Sequence, residues 1–174
     1  MMKEVGFRRG EYLETTGTKV LMEGVKEWRK MLKETERGVL FLDEAYQLHP
    51  KNGGGAAGQQ CLDLLMDHAE NHVAGATVII AGYEDHVREL MGVNAGFNSR
   101  FPPEGWFQFA DYTELQLRAI FRGVVKDKGL LLPSRAEAGG LSVAAVVAAR
   151  LARRSGTRGF GNARDTRNKV LASK

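Results

Sequence analysis

The chain has 174 residues, 43% of them hydrophobic and 26% charged, with a net charge of +4. That length holds one medium domain, or a small domain with an appendage; the composition is that of a soluble globular protein, and one cysteine fits a reducing, intracellular compartment. No apolar run approaches the ~18 residues of a membrane span, MMKEVGFRRG lacks the apolar core of a signal peptide, and a single cysteine, Cys61, excludes an intrachain disulfide.

The charge is unevenly spread. Arg150 to Lys174 hold eight Lys/Arg and one acid, a net of +7, which leaves −3 for the rest. Such a basic stretch can meet nucleic acid, an acidic partner or phosphates, or form a solvated helix face.

In chain order, residues 4–9 can form a short strand. Glu14 to Thr18 (ETTGT) is a turn-and-cap cluster. A helix follows, with Leu21, Val25, Trp28 and Leu32 at helical spacing, and Arg37-Gly38 closes it. Val39 to Leu42 is an unbroken apolar run rich in β-formers. It reads as a strand covered on both faces, as in a parallel α/β sheet, and it ends on Asp43-Glu44. Acids there lie where open α/β sheets bind ligands. Neighbouring strand-end side chains point in different directions, so one carboxylate can hold Mg²⁺ while the next polarises an attacking water. The plain alternative is two solvated acids.

Lys51 to Gly58 (KNGGGAAG) reads as a flexible loop. Its glycines have the spacing of a phosphate cradle, but Gln59-Gln60 stand where Lys and Ser/Thr are needed. A helix from Gln59 to Asn71 buries Leu62, Leu65, Met66 and Ala69. It brings His68 within four residues of His72; with no H-E-x-x-H order and no evident third ligand, these read as exposed helix histidines. Ala76 to Gly82 is a second buried strand with Tyr83-Glu84-Asp85 at its end, followed by a short helix through Val87, Leu90 and Met91. Asn94 to Pro103 is a loop carrying a lone arginine, Arg100. Gly105 to Ala110 (GWFQFA) is a third strand. Asp111-Tyr112-Thr113 caps a helix carrying Leu117, Ile120, Phe121 and Val124.

Only helical patterns follow, broken at 129–135 and 155–161. A boundary near Asp111 therefore divides an α/β part, residues 1–110, from a small all-helical part, residues 111–174. Arg164 opens the last helix, where its guanidinium can reach a phosphate or pair with Asp165 or Asp111.

The succession GVLFLDEAYQL, VIIAGYEDH, NAGFNSRF, FADYTELQL and GFGNARDTRN resembles an AAA+ ATPase. More narrowly, it is similar to the group containing the red-type Rubisco activase and the stage V sporulation protein K ATPases, from about Glu14 to Val170. The resemblance implies a partial P-loop NTPase sheet followed by a helical lid. It implies that Asp43 and Glu44 are the Walker B pair, Asp43 for Mg²⁺ and Glu44 for activating water. Tyr83 stands at sensor 1, Arg100 is the arginine finger serving a neighbouring subunit, and Arg164 is sensor 2. ATP and Mg²⁺ are then the ligands of the complete protein, its partners a homo- or hetero-oligomeric ring, a hexamer in this family, and a protein client. Neither nucleic acid nor membrane is needed, since arginines near a triphosphate account for the basic end.

The sequence departs from the group in two places. No GxxxxGK[ST] precedes the Walker B strand, which implies that the P-loop, its strand and its helix are missing, with the lost strand expected between residues 39–43 and 106–110. The expectation is thus an ATPase module completed elsewhere. The alternative is a non-catalytic adaptor that joins rings of intact relatives. Tyr12-Leu13 falls where the group has a pore loop, in surroundings that differ (Arg8-Arg9-Gly10, Glu14).

Overall fold

The structure, a computed structural model, describes residues 12–36, 38–71, 77–134, 136–157 and 159–171. The strand expected at residues 4–9 lies outside them, as do His72 and Arg37. The chain divides into two compact units, with the division between Gln108 and Phe109.

In the first unit β2 (Val39–Asp43) runs between β1 (Tyr12–Thr16) and β3 (Thr77–Ile80), and all three are parallel. Leu40 faces Leu13 on one side and Val78 on the other, and Asp43 pairs with Thr16. Leu40 and Leu42, which share one face, are fully buried, while on the opposite face Val39 is buried and Phe41 only half-buried, so the second face is covered in part and not throughout as expected. Glu14 to Thr16 are thus the end of a strand and not a turn, because two β-branched threonines fit the free edge that β2 offers. Tyr12 opens that strand and donates its hydroxyl to Glu14. Thr16 still caps α1 (Gly17–Glu34), its Oγ1 accepting the Lys19 N–H at 3.2 Å.

Two expectations about the sheet are corrected. Residues 106–110 form no strand: Phe107 and Phe109 are 88% and 95% exposed. Their alternating pattern suits a strand, but no neighbour among the described residues offers its hydrogen bonds. Nor can a further strand enter beside residues 39–43, since β2 is paired along both edges. The open edges belong to β1 and β3.

Two helices cover the sheet. α1 kinks at Gly24, whose φ of 83° suits glycine, and buries Val20, Trp28, Met31 and Leu32. Trp28 is fully buried and donates its indole N–H to the Cys61 carbonyl of α2 (Gly55–Asn71) at 2.9 Å. Burying one such side chain is worth about 1.5–3 kcal/mol. α1 ends earlier than Arg37-Gly38 suggests: the buried Thr35 donates its hydroxyl to the Met31 and Leu32 carbonyls.

α2 begins at Gly55 and takes in the second half of the supposed flexible loop. Its glycines are a packing device. A Cβ on Gly54 or Gly58 would lie 2.3 or 2.2 Å from the Leu48 carbonyl oxygen, so the helix can cross the Ala45–Leu48 3-10 turn only without those side chains. His68, on the inner face of α2, is buried and not exposed.

The second unit consists of α5 (Glu114–Asp127), α6 (Val143–Ala152) and α7 (Ala163–Leu171). Thr113 and Gln116 form a capping box at the start of α5. Its core is small: Leu117, Phe121 and Val125 of α5 against Ala144, Ala148 and Leu151 of α6, with Val170 of α7.

Candidate functional site

The end of β2 separates its two acids by backbone geometry. Glu44 sits at φ 49°, ψ 36°, a left-handed conformation uncommon for a side chain of its kind. Such a residue costs about 1–2 kcal/mol and persists only where its surroundings impose it. Here Ala45 N–H donates to the Ala81 carbonyl at 3.3 Å, and Gln47 N–H to the Glu44 carbonyl at 2.9 Å. Gly17 lies so close that a Cβ there would stand 2.6 Å from the Glu44 carbonyl oxygen. Asp43 Oδ1 accepts the Glu44 N–H at 2.8 Å, which ties this half-buried carboxylate to the chain. The Glu44 carboxylate is exposed and makes no hydrogen bond or ion pair among the described residues.

β3 ends beside β2 and leads through Gly82 to α3 (Glu84–Met91). Tyr83 precedes α3 and is 62% exposed, with no side-chain hydrogen bond among the described residues. The Tyr46 ring lies 4.6 Å from that of His86 and 6.4 Å from that of Tyr83. A Cβ on Gly82 would meet Tyr46 Cδ1 at 3.0 Å and Val87 Cγ2 at 3.2 Å. The tyrosine of DEAY therefore stacks over the glycine of AGY, and the two motifs form one surface. Tyr46 and His86 were missed in the sequence; the signal available was an aromatic residue at a fixed step beyond each strand.

Arg100 closes α4 (Ala95–Arg100), a short helix where a loop was expected. The helix forms because the Asn94 side chain accepts the Gly96 N–H at 2.9 Å and Phe97 is buried beneath it. The Arg100 guanidinium pairs with the Glu70 carboxylate of α2, and its Nη1 donates to the Gly96 carbonyl at 3.1 Å. No hydrogen bond or ion pair joins it to Asp43, Glu44 or Tyr83 among the described residues. The first unit thus gathers Asp43, Glu44 and Tyr83 at one end of the sheet and fixes Arg100 through α2 and α4.

Arg164 lies in the first turn of α7, exposed, with no hydrogen bond or ion pair among the described residues. Neither sequence-expected partner holds it. Asp165 pairs with Arg154 at 3.1 Å. Asp111 accepts from the Asn162 side chain at 2.6 Å, the Gly156 N–H at 2.7 Å and the Ser155 hydroxyl at 2.8 Å. These donors, Gly156 first, hold the Asp111 carboxyl below the usual carboxylate range.

No three His, Cys, Asp or Glu side chains among the described residues gather into a metal cage. A lone carboxylate with one oxygen engaged still suits Mg²⁺, which keeps its waters and draws further ligands from phosphates.

A parallel sheet ending in a split acid pair, followed by a helical unit, is part of an AAA+ P-loop NTPase fold. Stage V sporulation protein K of Bacillus subtilis is 31% identical over 128 residues, covering 74% of this chain and 36% of that protein. Protein CbbX of Cereibacter sphaeroides and Protein CfxQ of Xanthobacter flavus are each 30% identical over 159 residues, 91% of this chain. They are covered to 46% and 45% respectively. The chain is a homologue of these proteins, in the AAA+ group that its motifs resemble, and it spans less than half the length of these curated relatives. No family model matches it. No helix among the described residues is long and apolar enough to cross a membrane.

Proposed function

We propose that the protein is an AAA+ ATPase that hydrolyses ATP between the subunits of a ring and uses the cycle to remodel a protein client. The observation that carries this reading is the division of labour at Asp43 and Glu44. One carboxylate is tied to the backbone, as a metal-side ligand should be. The other is turned out, uncommitted, by a left-handed residue. Strain of this kind clusters at functional sites.

In the full protein Asp43 would hold Mg²⁺ through its remaining oxygens, and the ion would supply neutralisation of phosphate charge. Glu44 would take up a proton from the attacking water, or polarise it. Tyr83, exposed beside them, would orient that water or the phosphate through its hydroxyl. Arg164, uncommitted within its own unit, would meet the nucleotide as sensor 2. Arg100 would offer its guanidinium to the γ-phosphate of the adjoining subunit, where a charge in place before the reaction lowers the barrier. The backbone cradle for the β- and γ-phosphates is not among these 174 residues, so the activity belongs to the whole protein.

The test is Glu44→Gln in the full protein. Glutamine keeps the size and reach of the side chain but cannot take the proton. ATP binding should persist while turnover falls by orders of magnitude, because only a transition-state interaction is lost. Full turnover in the variant would contradict the assignment.

A further inference from the structure

Glu70 and Arg100 stand 30 residues apart in sequence and meet as an ion pair between α2 and α4. The arginine side chain is 22% exposed and the glutamate 60%. One further acceptor holds the guanidinium, and the fold encloses its Nε. Its Nη1 donates to the Gly96 carbonyl, one helical turn back. Its Nε is buried with no hydrogen-bond partner among the described residues. The position depends on Gly96 having no side chain, since a Cβ there would lie 2.9 Å from Arg100 Nη1 and 2.7 Å from Met66 Cε.

A guanidinium carries five N–H donors in one plane. Here one from each terminal nitrogen is engaged and the Nε–H is enclosed, so each terminal nitrogen keeps one N–H. Two acceptors on different elements fix the plane itself. An unrestrained arginine has large rotamer freedom to lose on meeting a phosphate. With the glutamate 60% exposed, water screens its side of the pair, and the main effect of the contact is on where the half-buried guanidinium stands.

We propose that Glu70 is a positioning residue: with the Gly96 carbonyl it fixes the Arg100 guanidinium in advance, so that the remaining N–H groups meet the terminal phosphate of a nucleoside triphosphate held by an adjoining subunit. This rests on the reading of Arg100 as a finger acting across the subunit boundary. Glu70 touches no reacting atom. Its contribution is orientation, which is worth most when the charge it directs counts only in the transition state.

The experiment compares Glu70→Ala, Glu70→Gln, Arg100→Ala and the Glu70→Ala/Arg100→Ala double variant in assembled rings of the full protein, reading kcat and KM for ATP. Arg100→Ala should lower kcat about 10³-fold or more. Glu70→Ala should lower it about 10²-fold at nearly unchanged KM, the scale of a misplaced catalytic group. Glu70→Gln, whose carbonyl still accepts from Nη2, should recover part of that loss. The double variant should be no slower than Arg100→Ala alone, since both act through one guanidinium. Thermal unfolding of Glu70→Gln should match the wild type. If Arg100→Ala is slow while both Glu70 variants turn over at the full rate or faster, the positioning role is overturned and the finger stands. If Arg100→Ala turns over at the full rate, the finger reading itself fails, and this inference with it.

Discussion

Asn162 reaches back 51 residues to donate its side-chain N–H to the Asp111 carboxylate at 2.6 Å, while its own Oδ1 accepts the Tyr112 N–H at 2.9 Å. The asparagine of the GFGNARD motif is therefore a structural clasp. It closes the start of the second unit onto the loop before α7, and Arg164 stands two residues beyond it. Asn162 also sits at φ 47°, a conformation asparagine tolerates better than most side chains.

The first prediction separates those two properties. Asn162→Gly relieves the backbone but removes both hydrogen bonds, whereas Asn162→Ala removes the bonds and adds about 1–2 kcal/mol of left-handed strain. Chemical unfolding of the second unit should rank wild type above glycine and glycine above alanine. Alanine equal to glycine would show that the backbone there is not constrained.

Asp111 gives a pH dependence. Its carboxyl titrates lower in the folded protein than in the unfolded chain, because Gly156, Asn162 and Ser155 all donate to it. The stabilisation is fully present above the unfolded carboxylate value of about 3.9 and is lost as pH falls through the lower folded value. Asp111→Asn keeps the shape without the charge, so unfolding of the second unit followed below about pH 5 should show a shallower acid limb in the variant. Parallel acid limbs in the two proteins would contradict the assigned hydrogen bonds.

Gly58 distinguishes packing from phosphate binding. A Cβ there would stand 2.2 Å from the Leu48 carbonyl oxygen, a clash with backbone that cannot be relieved by a rotamer change. Gly58→Ala should destabilise the first unit by about 1–3 kcal/mol, the range for overpacked sites. A loop that merely cradles phosphate would lose nucleotide affinity at unchanged stability, which is the contrary result.

Glu44 should trade stability for activity. Glycine at this left-handed position relieves strain, so Glu44→Gly should be more stable than wild type by up to about 1 kcal/mol while ATP turnover is lost. A drop in stability would mean that the Glu44 side chain is engaged in the fold.

The legible part of the molecule was where period and composition leave little choice. The all-apolar run from Val39 to Leu42, the threonine cap of α5 and the Leu/Trp face of α1 each form as their patterns require. The illegible part depended on neighbours distant in sequence. KNGGGAAG looks mobile until the Leu48 carbonyl is placed beneath it. GWFQFA has the alternation of a strand, but a strand exists only where a partner takes its hydrogen bonds. Thr15-Thr16 looked like a turn because an edge strand of five residues carries little periodicity. The site divides the same way. Asp43 and Glu44 could be found at a strand end. Glu70 could not be tied to Arg100, because nothing local joins residues 30 apart.

The most direct measurement of the central claim mixes two inactive proteins. Glu44→Gln removes the carboxylate proposed to activate water and leaves Arg100 in place. Arg100→Ala leaves its own carboxylates in place and removes the guanidinium proposed to reach the neighbour's site. Each full-length variant assembled alone should hydrolyse ATP at least about 10³-fold more slowly than wild type. In mixed rings, an Arg100→Ala subunit whose neighbour is Glu44→Gln regains a complete site, so turnover should reappear and peak at an intermediate ratio of the two. Failure to recover turnover at any ratio, with co-assembly demonstrated, would contradict the account of Arg100 as a residue that completes its neighbour's site.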